Sequence, residues 1–250
     1  MAEAIQSKSS VSLPAGVSLL RVGQVLLDAW EAGAHQWTES PVRAELKDQP
    51  SPALPIPRDA LELFRLLETR GTPYLLIGGM AMLTFVPGRN TKDVDLLMSV
   101  EAMRQVPELK IEDENEFFAR GRFRSLPVDF LLTNNPLFKL VQERFATRDR
   151  FAEQAVPCAT VEGLIVLKLY ALPSLYRQGN LDRAALYEND IAMLLIHHTV
   201  NVEQLLGLVA PCVEAGDLRE LRKIVDETSA RARRLRQHAD PQSEGKSGMA

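Results

Sequence analysis

Three aspartates stand where carboxylates are costly. Asp93 and Asp95 flank one valine in Arg89-Asn90-Thr91-Lys92-Asp93-Val94-Asp95, and Asp129 sits inside the apolar run Val128-Asp129-Phe130-Leu131-Leu132. A glycine pair, Gly78-Gly79, lies a short interval upstream. Carboxylates in apolar strand-like runs need a partner, and a divalent cation supplies one. In a strand, side chains alternate between faces, so Asp93 and Asp95 are expected to point the same way and to repel unless a cation sits between them. Mg²⁺ is held by one or two carboxylates plus substrate phosphates. With Asp129 as a third ligand the set suits a two-metal site for in-line phosphoryl or nucleotidyl transfer. Glycines let the backbone approach a phosphate, the following helix start offers N–H groups, and Arg89, Thr91 and Lys92 can add contacts. Taken singly, Gly-Gly is a turn signal and Asp-x-Asp a solvated strand end; their order and strand context carry the reading. Asp129 also has a simpler partner available in Arg122 or Arg124.

The elements that must position these residues follow from periodicity. Leu61, Phe64 and Leu67 form a helical stripe that ends at Gly71-Thr72-Pro73. Tyr74–Ile77 reads as a buried strand, 80–85 as a short helix, Asp93–Met98 as a second strand and 100–106 as a helix. Phe117-Phe118 and Arg122-Phe123-Arg124 flank Gly121 and read as a hairpin, followed by a strand from Pro127 to Leu132. From Pro136 onward the pattern is mainly helical, with helices around 137–145, 161–171, 183–197, 205–209 and 218–225. The expected class is α+β: a small mixed sheet, residues 58–135, with a helical C-terminal half, residues 136–236. Ahead of these, Leu19, Val22, Leu26 and Trp30 recur at helical spacing, and five prolines between 41 and 57 mark a linker, giving an N-terminal segment 1–57. Residues 237–250 are polar and are expected to be disordered.

Composition narrows the functional classes. The 250 residues are 46% hydrophobic and 25% charged with a net charge of −4, a globular balance without a global nucleic-acid signature. Local basic character is confined to the last helix (Arg219, Arg222, Lys223, Arg231, Arg233, Arg234, Arg236), which reads as a solvated face, with RNA contact as the alternative. Cys158 and Cys212 are far apart and read as reduced thiols, in keeping with a cytoplasmic location. His197-His198 reads as a surface pair. No apolar run reaches the roughly 20 residues that span a bilayer, so no membrane role is expected.

Leu76-Ile77-Gly78-Gly79-Met80-Ala81 followed by Arg89-Asn90-Thr91-Lys92-Asp93-Val94-Asp95-Leu96 resembles the signature of the nucleotidyltransferase superfamily, over about residues 58–200. Within it the pattern is most similar to the AbiEii-type toxin nucleotidyltransferases and related uncharacterised prokaryotic families. The resemblance implies an Mg²⁺-dependent transfer of a nucleoside monophosphate from an NTP such as ATP to a hydroxyl on RNA, a protein or a small molecule. It also implies a toxin role with a cognate antitoxin as partner. The alternative is a catalytically weak nucleotidyltransferase-like binding or interaction protein. By the resemblance Asp93 and Asp95 hold Mg²⁺, Asp129 is the third carboxylate and activates the acceptor, and Gly78 and Gly79 cradle phosphates. Lys168 and Asp190 match a lysine and an aspartate on successive helices of such families, the lysine neutralising the triphosphate and the aspartate orienting that lysine or a basic neighbour. Read alone, Lys168 is equally a snorkelling core-helix lysine and Asp190 a helix-surface or capping carboxylate. Two departures stand out. Many active members carry Gly-Ser in place of Gly78-Gly79, and the toxin relatives often carry a lysine ahead of the aspartate matched to Asp190, where this chain has Tyr187, Glu188 and Asn189.

Overall fold

The computed structural model describes residues 58–86, 91, 93–151 and 154–239. The N-terminal helix and proline-rich linker read from the sequence, together with Arg89, Lys92 and the tail after 239, lie outside the described residues.

The first helix, α1 (Arg58–Thr69), buries Ala60, Leu63, Phe64 and Leu67 on one stripe. Its end is closed by Gly71 N–H donating to the Glu68 carbonyl and Thr72 N–H to the Leu67 carbonyl, a Schellman pattern that turns the chain into the sheet. Next come β1 (Leu75–Ile77), the single turn α2 (Gly78–Met82), β2 (Val94–Met98) and α3 (Val100–Arg104). Then follow β3 (Leu109–Glu114), β4 (Phe118–Phe123), β5 (Leu126–Leu132) and α4 (Pro136–Arg144). The hairpin β6 (Ala146–Phe151) and β7 (Gln154–Ala159) precedes α5 (Val161–Arg177), α6 (Leu181–His197), α7 (Val202–Val209) and α8 (Ala215–Ala239).

Among the described residues seven strands form one mixed sheet in the order β3-β4-β5-β2-β1-β7-β6. β2 runs parallel to β5 and antiparallel to β1, while β1 runs parallel to β7. The centre of the sheet is the apolar part: all of β1 is buried, and β5 alternates so that Leu126, Val128, Phe130 and Leu132 are buried while Asp129 and Leu131 face the other way. The architecture is thus α+β with a helical C-terminal half. α5 lies at the middle of that half, buries Val161 and every residue from Gly163 to Leu169, and packs against α6 and α7. No described helix is long and apolar enough to cross a membrane.

Beyond the unread edge strand β3, the structure departs from the sequence reading around Gly121 and after Pro136. Gly121 is not near a turn; it sits mid-strand in β4, where a Cβ would come 2.5 Å from the Lys110 carbonyl oxygen, so glycine serves a close approach of two backbones. The turn falls at Arg124-Ser125, flanked by the pair Phe123↔Leu126, with Arg124 at φ 56°. The mainly helical run after Pro136 is interrupted by the β6–β7 hairpin, whose β7 pairs with β1 at Leu76↔Cys158.

Candidate active site

Sheet register builds one wall of the site. Asp95 on β2 and Asp129 on β5 are direct neighbours in a parallel ladder, so their side chains leave the same face of strands about 4.8 Å apart. Antiparallel pairing of Ile77 with Asp95 then brings the start of α2 against the Asp95 carboxylate. Gly78 has φ +64°, and a Cβ there would lie 2.0 Å from Asp95 Oδ2, so both conformation and space demand glycine. The Gly79 N–H, expected to meet a phosphate, donates to the Asp95 carboxylate.

The two carboxylates have different surroundings. Burial first and the Asp129 charge second, opposed by Lys168, Arg183 and the Gly79 N–H, leave the Asp95 pKa raised from 3.8 to about 6. Asp129 instead accepts a fork from Arg120 on β4, Nε at 2.7 Å and Nη2 at 3.0 Å. Arg120 stands opposite Asp129 in the β4–β5 register. Hydrogen bonding to Asp129 raises its pKa, helped by the Asp129 charge and further by Asp93 and Asp113, so one guanidinium serves a ring of carboxylates. Arg122 and Arg124 are taken elsewhere, by Glu112 and by Glu62 and Asp59.

The opposite wall belongs to the helices. Lys168 on α5 pairs with Asp190 on α6 at 2.7 Å, with side chains 6% and 1% exposed. Lys168 is therefore not a snorkelling lysine and Asp190 not a surface carboxylate: they form a buried ion pair that ties α5 to α6. Lys168 Nζ lies 4.4 Å from the Tyr187 ring centroid, and Arg183 Cζ lies 5.7 Å from the same centroid. Between the two walls is a cavity of about 870 Å³, lined by Gly78, Asp95 and Asp129 on the sheet side and by Lys168, Arg183 and Tyr187 on the helix side.

Of the residues singled out by sequence, this cavity gathers Gly78, Asp95, Asp129 and Lys168. Asp93 precedes β2, is exposed and lies outside the lining, though its charge reaches Arg120. Gly79 and Asp190 sit behind the lining, each bonded to a residue in it. Thr91 places Oγ1 2.7 Å from where a Gly79 Cβ would be, so its hydroxyl occupies the space beside that glycine. Among the described residues no three His, Cys, Asp or Glu side chains gather as a ready metal cluster. Asp95 and Asp129 remain as an all-oxygen pair, which is the protein share that Mg²⁺ takes when phosphates and water complete its shell. Sequence reading missed Arg120, Arg183 and Tyr187. Counting outward from a turn at Arg124-Ser125 puts Arg120 opposite Asp129, and Arg183 and Tyr187 share an α6 face one turn apart.

Outside the site, Cys158 is buried and its thiol is pushed up to about 12 by burial, while Cys212 is exposed; both are free. His197 is exposed, and His198 packs edge-on against Phe85. In the basic last helix, Arg222 and Lys223 pair with Glu203 and Glu220, and Arg236 caps the end of α6 through the Leu195 and His198 carbonyls.

No family model and no curated protein matches the chain. Among solved structures it is similar to an antigenic nucleotidyltransferase-like protein from Paracoccidioides brasiliensis, at 18% identity over 66% of this chain and 92% of that one, with a TM-score of 0.41. It is also similar to ANT(2")-Ia in complex with adenylyl-2"-tobramycin (14% identity, 62% and 95% covered, TM-score 0.44). The solution structure of the antibiotic-resistance factor ANT(2'')-Ia is a third (12% identity, 72% and 96% covered, TM-score 0.40).

Proposed function

We propose that this chain is a divalent-metal-dependent nucleotidyltransferase that moves a nucleoside monophosphate from an NTP to a hydroxyl acceptor. One observation supports it above the rest: two carboxylates in register on adjacent parallel strands face lysine and arginine across a cavity large enough for a nucleotide. The acidic wall suits a hard cation, and the basic wall suits the phosphates such a cation accompanies.

Asp95 and Asp129 are the residues that would hold the metal, whereas Asp93, grouped with them by the signature, lies outside the cavity lining. When bound, the metal would supply charge neutralisation and Lewis acidity at the reacting phosphate. The remaining work falls to the chain itself. Gly78 keeps the space above Asp95 open, and the Gly79 N–H fixes that carboxylate's orientation. Asp129 is the group placed to accept the acceptor hydroxyl's proton on a carboxylate oxygen, which requires Arg120 to turn away from at least one of them. Arg120 is 61% exposed, so its swing into solvent meets little packing. Lys168, set by Asp190, neutralises phosphate charge from the helix side.

Transfer of label from α-labelled NTP into RNA, protein or small hydroxyl compounds tests the reading. Transfer should be lost in Asp95→Asn and in Asp129→Asn; transfer at wild-type rates by either variant would sink the mechanism. A second reading is favoured by the Arg120–Asp129 fork, which occupies both oxygens of the third carboxylate: a nucleotide-binding module without turnover. Tight NTP binding with no transfer to any acceptor class would select it. The toxin role implied by the signature is the finer proposal, tested by whether induced expression arrests growth in the wild type and not in Asp95→Asn.

A further inference from the structure

Four cations line the cavity: Arg120, Lys168, Arg177 and Arg183. Three are spoken for: Arg120 by Asp129, Lys168 by Asp190 at 2.7 Å and Arg177 by Asp217 at 2.6 Å. Among the described residues Arg183 forms no ion pair, yet it is held in place. Its backbone N–H donates to the Asn180 side chain at the start of α6, and its guanidinium lies over the Tyr187 ring one helical turn on. The other cation over that ring is Lys168, so a single phenol carries two positive groups into one cavity. The Tyr187 phenol favours the charged form of Arg183 most strongly, burial opposes it, and the Asp95 and Asp129 charges add to it, which places Arg183 within electrostatic reach of the carboxylate wall.

The Tyr187 hydroxyl accepts from that guanidinium, and the rest of its five N–H donors can match a phosphate group in a two-point contact that a lysine does not reproduce. We propose that Arg183, seated on Tyr187, is the polyphosphate-binding residue of this cavity: it takes the β- and γ-phosphates of the nucleotide and keeps hold of them as pyrophosphate. The inference rests on the nucleotidyltransferase reading and deepens it. In the transfer, the acceptor oxygen bonds to the α-phosphorus and the bridging bond from the α-phosphorus to the β-phosphate oxygen breaks. Its electron pair stays on that oxygen, so pyrophosphate gains a negative charge during the step. A cation with no counter-ion among the described residues meets that charge at no cost in ion pairs broken there, unlike Lys168, Arg120 or Arg177.

The test is calorimetric titration of the full chain, in Mg²⁺ buffer, with ATP, inorganic pyrophosphate and AMP. The variants are Arg183→Gln, Arg183→Lys and Tyr187→Leu, with Arg233→Gln, at an exposed position of α8, as control. Arg183→Gln should weaken pyrophosphate and ATP at least tenfold while AMP changes less than threefold. Arg183→Lys should recover only part of the loss, Tyr187→Leu should lose several-fold, and the control should match wild type. Equal weakening of all three ligands would mark a structural role and overturn the proposal, as would pyrophosphate binding unchanged in Arg183→Gln or Arg183→Lys. Wild type that binds ATP but not pyrophosphate would overturn this inference alone, whereas wild type that binds neither would overturn the nucleotidyltransferase reading with it.

Discussion

Replacing Asp95 with asparagine should make the protein more stable while removing the proposed transfer. In the fold the Asp95 carboxyl is raised from 3.8 to about 6, through burial first and the Asp129 charge second. A raised acid binds its proton more tightly folded than unfolded. Its charge therefore costs nothing below about 3.8, costs progressively more as pH climbs to about 6, and costs the full amount above that. Going from 3.8 to about 6 corresponds to ~3 kcal/mol in the dry limit. Asp95 is partly exposed to the cavity, and solvent there screens the charge, leaving about 1–2 kcal/mol at neutral pH. Asparagine keeps an oxygen for the Gly79 N–H and drops the charge. Urea unfolding of both proteins in EDTA, at steps from pH 4 to 7.5, reads the difference directly. Asp95→Asn should match wild type near pH 4 and exceed it by about 1–2 kcal/mol at pH 7.5, or about 3–6 °C in Tm. A variant no more stable than wild type at pH 7.5, or a gap that does not change with pH, would refute the argument that Asp95 is a charge held against its surroundings.

Gly78→Ala must adopt φ +64° and place a methyl 2.0 Å from Asp95 Oδ2, so it should cost more than about 2 kcal/mol and lose NTP binding, read by thermal melts and titration. Lys168→Met leaves Asp190 buried without its cation and should cost about 3–5 kcal/mol. The double change Lys168→Met/Asp190→Leu should recover most of that in the same melts. Arg120→Gln frees the Asp129 oxygens; because Arg120 is exposed it should cost under about 1 kcal/mol in stability while tightening Mn²⁺ binding several-fold by electron paramagnetic resonance.

Sequence pattern carried the middle of this fold well because the middle is apolar. β1, β2 and β5 announce themselves as buried runs, and one carboxylate in each of β2 and β5 is conspicuous there. The edges carry no such signal. β3 buries Leu109 alone and otherwise reads as charged, which suits an edge strand and looks like a loop. β6 is similarly polar, and β7 contains Pro157, a residue that argues against a strand. Gly121 misplaced the turn, and with the turn misplaced Arg120 could not be seen opposite Asp129. Lys168 illustrates a different limit. A lysine in an apolar helix reads as snorkelling until its partner is known, and Asp190 lies 22 residues on, in the next helix. The register of β2 against β5, which makes two separate aspartates into one site, depends on a parallel pairing across an intervening hairpin and has no local trace in the chain.

Titration of the protein with each NTP, with and without Mg²⁺, alongside Asp95→Asn and Asp129→Asn, is the most direct test. NTP binding should need the metal and be lost in both variants. NTP binding that is absent, or that survives both substitutions unchanged, would contradict a nucleotide site built on the Asp95–Asp129 pair.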